Sequence, residues 1–79
     1  MDLEEKLITL ISETLGTEER NISLESDFYK DLNANKFEVA DLIAACQQKF
    51  DIPLNEEIIN RIQTVGDLLK LLEENSDEI

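Results

Sequence analysis

Asp31-Leu32-Asn33-Ala34-Asn35-Lys36-Phe37-Glu38-Val39-Ala40-Asp41-Leu42 is the stretch on which the fold turns. Asn35 is a suitable N-cap, because its side-chain oxygen can accept from an orphan backbone N–H, and Glu38 three residues on completes a capping box. A helix is therefore predicted from about Lys36 to Phe50, with Phe37, Ala40, Ile43, Ala44 and Phe50 facing inward. Asp31, Asn33 and Asn35 also take the first, third and fifth positions of an EF-hand loop, where short oxygen side chains converge on calcium. The sixth position is Lys36 instead of a turn-making glycine, and the twelfth is Leu42 instead of a bidentate glutamate, so calcium-hand binding is not expected.

Before this stretch, Leu3, Leu7, Ile8, Leu10, Ile11 and Leu15 recur at three- and four-residue spacing, and Gly16 follows where a left-handed cap belongs. That pattern predicts a first helix over Leu3 to Leu15. Thr17 to Asn35 has no sustained period but carries Ile22, Leu24, Phe28, Tyr29 and Leu32, which reads as a long loop pegged to the core. After the second helix, Pro53 ends an extended link, and Asn55 can cap a short helix of about two turns whose first turn holds Glu56 and Glu57. Thr64 and Asp67 then cap a last helix from Val65 to about Glu74, with Val65, Leu68, Leu69 and Leu72 as its apolar face. The expected fold is all-α, with four helices, a long loop between the first two and a short third helix. The core is expected to include Leu7, Ile11, Phe28, Ile43, Phe50, Ile62 and Leu68, and residues 75–79 to fray.

Seventy-nine residues are enough for one domain, 1–79, with one modest core. Nineteen acidic residues against seven basic ones give a formal charge of -12. Such a chain repels phosphate backbones and attracts basic patches on other proteins, so no nucleic-acid partner is expected. The apolar share of 42% and its periodicity separate the chain from disordered acidic segments. There is no histidine, so neither a Ser/His/Asp nor a Cys/His relay can be assembled. The single cysteine, Cys46, lies among Ile43, Ala44, Ala45 and Phe50 and reads as a small buried thiol, with too few companions for a metal site. The opening Met1-Asp2-Leu3-Glu4-Glu5 has no basic stretch before an apolar run, and no segment approaches a membrane span. A cytoplasmic monomer that is not an enzyme and does not insert into membranes is expected.

Over nearly its full length the chain resembles the acyl carrier proteins. In that family a core of the form Asp-Leu-Gly-Ala-Asp-Ser-Leu-Asp introduces the second helix; here Asp31-Leu32-Asn33-Ala34-Asn35-Lys36-Phe37-Glu38 stands in that place. Gln48-Lys49-Phe50-Asp51-Ile52-Pro53-Leu54 is similar to the family's Glu-Glu-Phe-Asp-Ile-Pro segment, and Ile62-Gln63-Thr64-Val65-Gly66-Asp67 to its Ile-Thr-Thr-Val-Gly-Asp. The resemblance implies an acyl-carrier-like four-helix bundle. It also implies a serine bearing a 4'-phosphopantetheine arm, but Lys36 stands at that position and Asn35 replaces the preceding aspartate. An ammonium cannot form the phosphodiester that a hydroxyl forms, so no cofactor is expected on Lys36.

The family's second helix is an acidic stripe that meets Lys and Arg on partner enzymes. Glu38 and Asp41 keep part of it, while Gln47, Gln48 and Lys49 stand where acidic residues are common. Asn35, Phe37, Glu38 and Asp41 are the implied docking positions, for partners with basic patches such as lipid-synthesis enzymes. Without the resemblance, Glu38 and Asp41 read simply as solvated helix residues. Lys36 reads as a tolerated surface residue, with an ion pair to Asp31 or Glu38 or a partner contact as sharper alternatives. The expected role is an armless protein-interaction adaptor. A true carrier for fatty acid or polyketide synthesis with an atypical site, and an acidic calcium-binding protein, are the second and third readings.

Overall fold

The computed structural model describes residues 2–75, so the expectation for the tail falls, beyond Asn75, outside the described residues. Three α-helices, α1 (Leu3–Leu15), α2 (Lys36–Phe50) and α3 (Val65–Glu74), are joined by segments that each contain a short 3₁₀ helix, Glu19–Asn21 and Glu56–Asn60. The chain is all-α; among the described residues there is no strand, only an isolated antiparallel bridge between Asp27 and Thr64.

The local signals act as their chemistry dictates. Asp2 accepts from Glu5 N–H at 2.9 Å to start α1, and Gly16, at φ 72°, ends it with its N–H on the Ser12 carbonyl. Thr64 and Asp67 form a capping box at α3, in which the Asp67 carboxylate accepts from Gln63 and Thr64 N–H at 3.0 Å each. Those backbone donors, Gln63 first, hold the Asp67 carboxyl below the usual range. The expected two-turn third helix is instead the 3₁₀ helix Glu56–Asn60, capped by Asn55 accepting from Glu57 N–H. Pro53 and the buried side chains on both sides, Ile52, Leu54, Ile58 and Ile62, pin so short a segment at both ends that the tighter helix serves.

α1 packs against both α2 and α3, and the second 3₁₀ helix against α2. Leu7 and Ile11 of α1, Val39, Leu42 and Cys46 of α2, and Val65, Leu68 and Leu72 of α3 close on Phe28, which is fully buried. Phe28 comes from the long connection, whose Ile22, Leu32 and Ala34 are buried as well. That connection is stitched to the start of α3. Phe28 N–H donates to the Gln63 carbonyl, Val65 N–H to Ser26, and Gly66 N–H to Leu24 at 2.8 Å. A Cβ at Gly66 would lie 3.0 Å from the Leu24 carbonyl oxygen, so a larger residue here would push the connection back by a few tenths of an ångström.

The inward face of α2 differs from the expected one. Val39, Leu42, Ile43 and Cys46 are buried, Phe50 is half-buried against the core, and Phe37, Ala40 and Ala44 face away from it. Helix α2 carries two apolar stripes at helical spacing, and only one can face the core. At 3.6 residues per turn Phe37 points roughly 160–180° away from Val39 and Cys46. The larger, branched stripe buries more area and wins.

Candidate functional site at the start of α2

The approach to α2 is a knot built on Asp27. One oxygen of its carboxylate accepts from Tyr29 N–H at 2.8 Å and Lys30 N–H at 2.9 Å; the other accepts from the Gln63 side chain at 2.6 Å. The Lys30 N–H, the Gln63 amide and the Tyr29 N–H together hold the Asp27 carboxyl below its ordinary value, outweighing burial, which acts the other way. Asp31 returns a carboxylate oxygen to Asp27 N–H at 2.8 Å, and Ala34 N–H reaches the Phe28 carbonyl. Asn33 then turns the chain at φ 57°, a left-handed conformation that asparagine tolerates better than most residues.

The turn delivers Asn35 to its capping position. Its side chain accepts from Glu38 N–H at 2.8 Å while the Glu38 carboxylate accepts from Asn35 N–H at 3.0 Å, the capping box that the spacing predicts. Lys36 is the first residue of the helix and is exposed, as are Phe37, Glu38 and Asp41. Among the described residues the one ion pair is Arg20 with Glu18, so Lys36 does not pair with Asp31 or Glu38. Both carboxylates are occupied by backbone N–H groups. The same engagement removes the EF-hand geometry, since oxygens of Asp31 and Asn35 are turned onto the backbone. Among the described residues, no group of three or more His, Cys, Asp or Glu side chains is placed to hold a metal ion.

The phosphopantetheine attachment site family (PP-binding) matches residues 5–72. The chain is 37% identical over 75 residues to an acyl carrier protein of Trieres chinensis, covering 95% of this chain and 94% of the relative. It is likewise 37% identical over 75 residues to an acyl carrier protein of Helicobacter acinonychis (strain Sheeba), covering 95% and 96%. To an acyl carrier protein of Chlamydia trachomatis serovar L2 it is 30% identical over 77 residues, covering 98% and 100%. This chain belongs to the acyl carrier protein family.

In this acyl carrier family member the outward stripe of α2 borders a groove that the sequence reading missed. Ala40, Ile43, Ala44 and Gln47 form one wall and Leu54 and Ile59 the other, enclosing about 340 Å³. The Gln47 side-chain amide donates to the Leu54 carbonyl and ties the two walls together. Phe37, 83% exposed, stands at the amino-terminal end of the same stripe. The signal for this groove was present: Ala40 and Ala44 at i, i+4 form a second apolar face that the core has no need to cover. Cys46 lies on the opposite, buried side of α2, where burial pushes its thiol up to about 12. No helix among the described residues is long and apolar enough to cross a membrane.

Proposed function

We propose that this acyl carrier family member is a non-catalytic adaptor that docks onto other proteins through the start of α2 and carries no phosphopantetheine arm. The observation that carries this reading is the residue at the head of α2. Lys36 is exposed there, in the place that the family motif gives to a serine, and offers an amine where phosphodiester formation needs a hydroxyl. Nearby hydroxyls are poor substitutes. Ser26 is buried and its Oγ accepts from Ser23 N–H at 3.0 Å, Ser12 belongs to α1, and Ser76 lies outside the described residues. The residues present therefore do not fit the arm.

Asn35, Phe37, Glu38 and Asp41 are exposed around Lys36 and supply the docking contacts in this reading. The formal charge of -12 favours partners with basic patches, such as enzymes of lipid synthesis, and a cytoplasmic monomer accords with it. A second reading, a carrier for fatty acid or polyketide synthesis with an atypical attachment residue, draws support from the groove beside Ala40 and Ile43. Intact mass after incubation with coenzyme A and a broad-specificity phosphopantetheinyl transferase separates the two. The adaptor reading expects an unmodified wild type and an arm on Lys36→Ser; an arm on the wild type overturns it, and mapping that residue then locates the carrier site.

A further inference from the structure

A cavity of about 450 Å³ lies between the first half of α1 and the last turn of α2, lined by Lys6, Thr9, Lys49 and Phe50. It shares no lining residue with the groove beside Ala40 and Ala44, and Lys49 lies about 20 Å along the helix from Lys36. Apolar surface prevails on its walls, from the half-buried Phe50 ring and the aliphatic stems of the lysines. The charge pattern runs against the rest of the chain. Nineteen acidic residues stand against seven basic ones, yet two of the seven line this cavity and no Asp or Glu lines it. Ala45 and Cys46 stand one turn before Lys49, and α2 ends one residue after it, so no carboxylate sits at pairing distance along the helix. Asp2, one turn before Lys6, turns a carboxylate oxygen onto Glu5 N–H. Neither lysine forms an ion pair among the described residues. Thr9 donates its hydroxyl to the Glu19 carboxylate at 3.3 Å, which leaves the two ammonium groups to meet an anion.

We propose that this cavity binds a small aromatic carboxylate. The inference goes beyond the adaptor reading and does not depend on it. The volume lies within the range of small-molecule sites. The carboxylate meets the ammonium groups of Lys6 and Lys49, and the ring lies against Phe50 in offset or edge-to-face contact. Net charge decides the size of the ligand: an acidic protein or an anionic membrane brings many charges against -12, whereas a single carboxylate brings one. Inorganic phosphate leaves the apolar wall in water, and an uncharged ring leaves the lysines unmatched.

The test is amide shift mapping of the full, isotope-labelled chain titrated separately with 2-naphthoate, neutral 2-naphthamide, inorganic phosphate and decanoate. Saturable shifts with 2-naphthoate are expected at Lys6, Thr9, Lys49 and Phe50, with each of the other three probes binding about tenfold more weakly. Lys6→Gln and Lys49→Gln should each weaken 2-naphthoate by about threefold and the double variant by about tenfold, while Lys30→Gln stays within about twofold. Glu19→Gln removes the carboxylate held by Thr9 and should tighten binding. All these substituted side chains are exposed, and circular dichroism checks that the variants remain helical. Non-saturable shifts, shifts centred on Ala40 and Ile59, equal binding of 2-naphthamide or phosphate, tighter binding of decanoate, or indifference to the double lysine variant each overturn the inference. The site is read by titration and not by mass, so it can fail while the adaptor reading stands, and the reverse.

Discussion

The side chain of Gln63 donates to the carboxylate of Asp27 at 2.6 Å, joining positions 36 residues apart. Through it the turn that launches α2 and the turn that launches α3 become one rigid unit. The Phe28 N–H to Gln63 carbonyl bond and the Val65 N–H to Ser26 carbonyl bond lie beside it. The placement of Lys36 and Phe37 therefore depends on a carboxylate nine residues before Lys36 in the chain.

That dependence predicts an acid limb in stability. The Asp27 and Asp67 carboxyls are held below their ordinary values by backbone and amide donors. A depressed folded-state pKa stabilises fully above the unfolded value of about 3.9 and loses that contribution as pH falls through the folded value. Asp27→Asn should lower the melting temperature at pH 7, and the gap from wild type should close as pH approaches 2. Thermal melts across that range check it. A gap that stays constant with pH would mean that the charge of Asp27 is not what stabilises the turn.

Asn33 and Asp51 hold left-handed backbone at φ 57° and 53°, one before α2 and one after it. Glycine meets no Cβ penalty there, so Asn33→Gly and Asp51→Gly should stay within about 0.5 kcal/mol of wild type or exceed it. Asn33→Val should lose roughly 1–2 kcal/mol, since a branched side chain strains this region. Urea unfolding of the three variants gives the comparison; equal losses for valine and glycine would remove the backbone explanation.

Two phenylalanines should separate core from surface. Phe28 is fully buried and its truncation to alanine should cost about 3–5 kcal/mol, much of the stability expected of so small a domain. Phe37→Ala should fall within about 0.5 kcal/mol. Denaturation midpoints decide it, and a large loss at Phe37 would contradict its outward orientation.

Cys46 should be silent until the fold opens. Its thiol is fully buried and its pKa lies at about 12, so almost no thiolate exists at neutral pH. Labelling by a thiol reagent should follow the unfolding rate and speed up sharply in urea; rapid labelling of the native protein would show that α2 opens on its own.

Much of this was legible before any fold was known. The bounds of α2 follow from Asn35 and Glu38, because a capping box is a local arrangement of side chain and backbone. Gly16 and Thr64 with Asp67 set the other helix ends for the same reason. The motif that places Lys36 at the head of α2 is likewise read from consecutive residues. The face of α2 was not legible, because two apolar stripes share one helix and periodicity alone cannot rank them. Nor could spacing reveal that Glu56–Asn60 winds as a 3₁₀ helix, since its ends are set by where Leu54 and Ile62 are buried.

By itself, then, the sequence determined where the three α-helices begin and end, the charge of the chain and the chemistry available at position 36, all of which depend on neighbours in the chain. Only the tertiary structure decided which side of α2 meets the core, that Asp27 ties two helix starts together, and that Phe37 borders an open groove. Those outcomes arise from competition for a limited buried volume, and the winner depends on Phe28, Leu54 and Gln63, residues distant in the chain that fold to the same place.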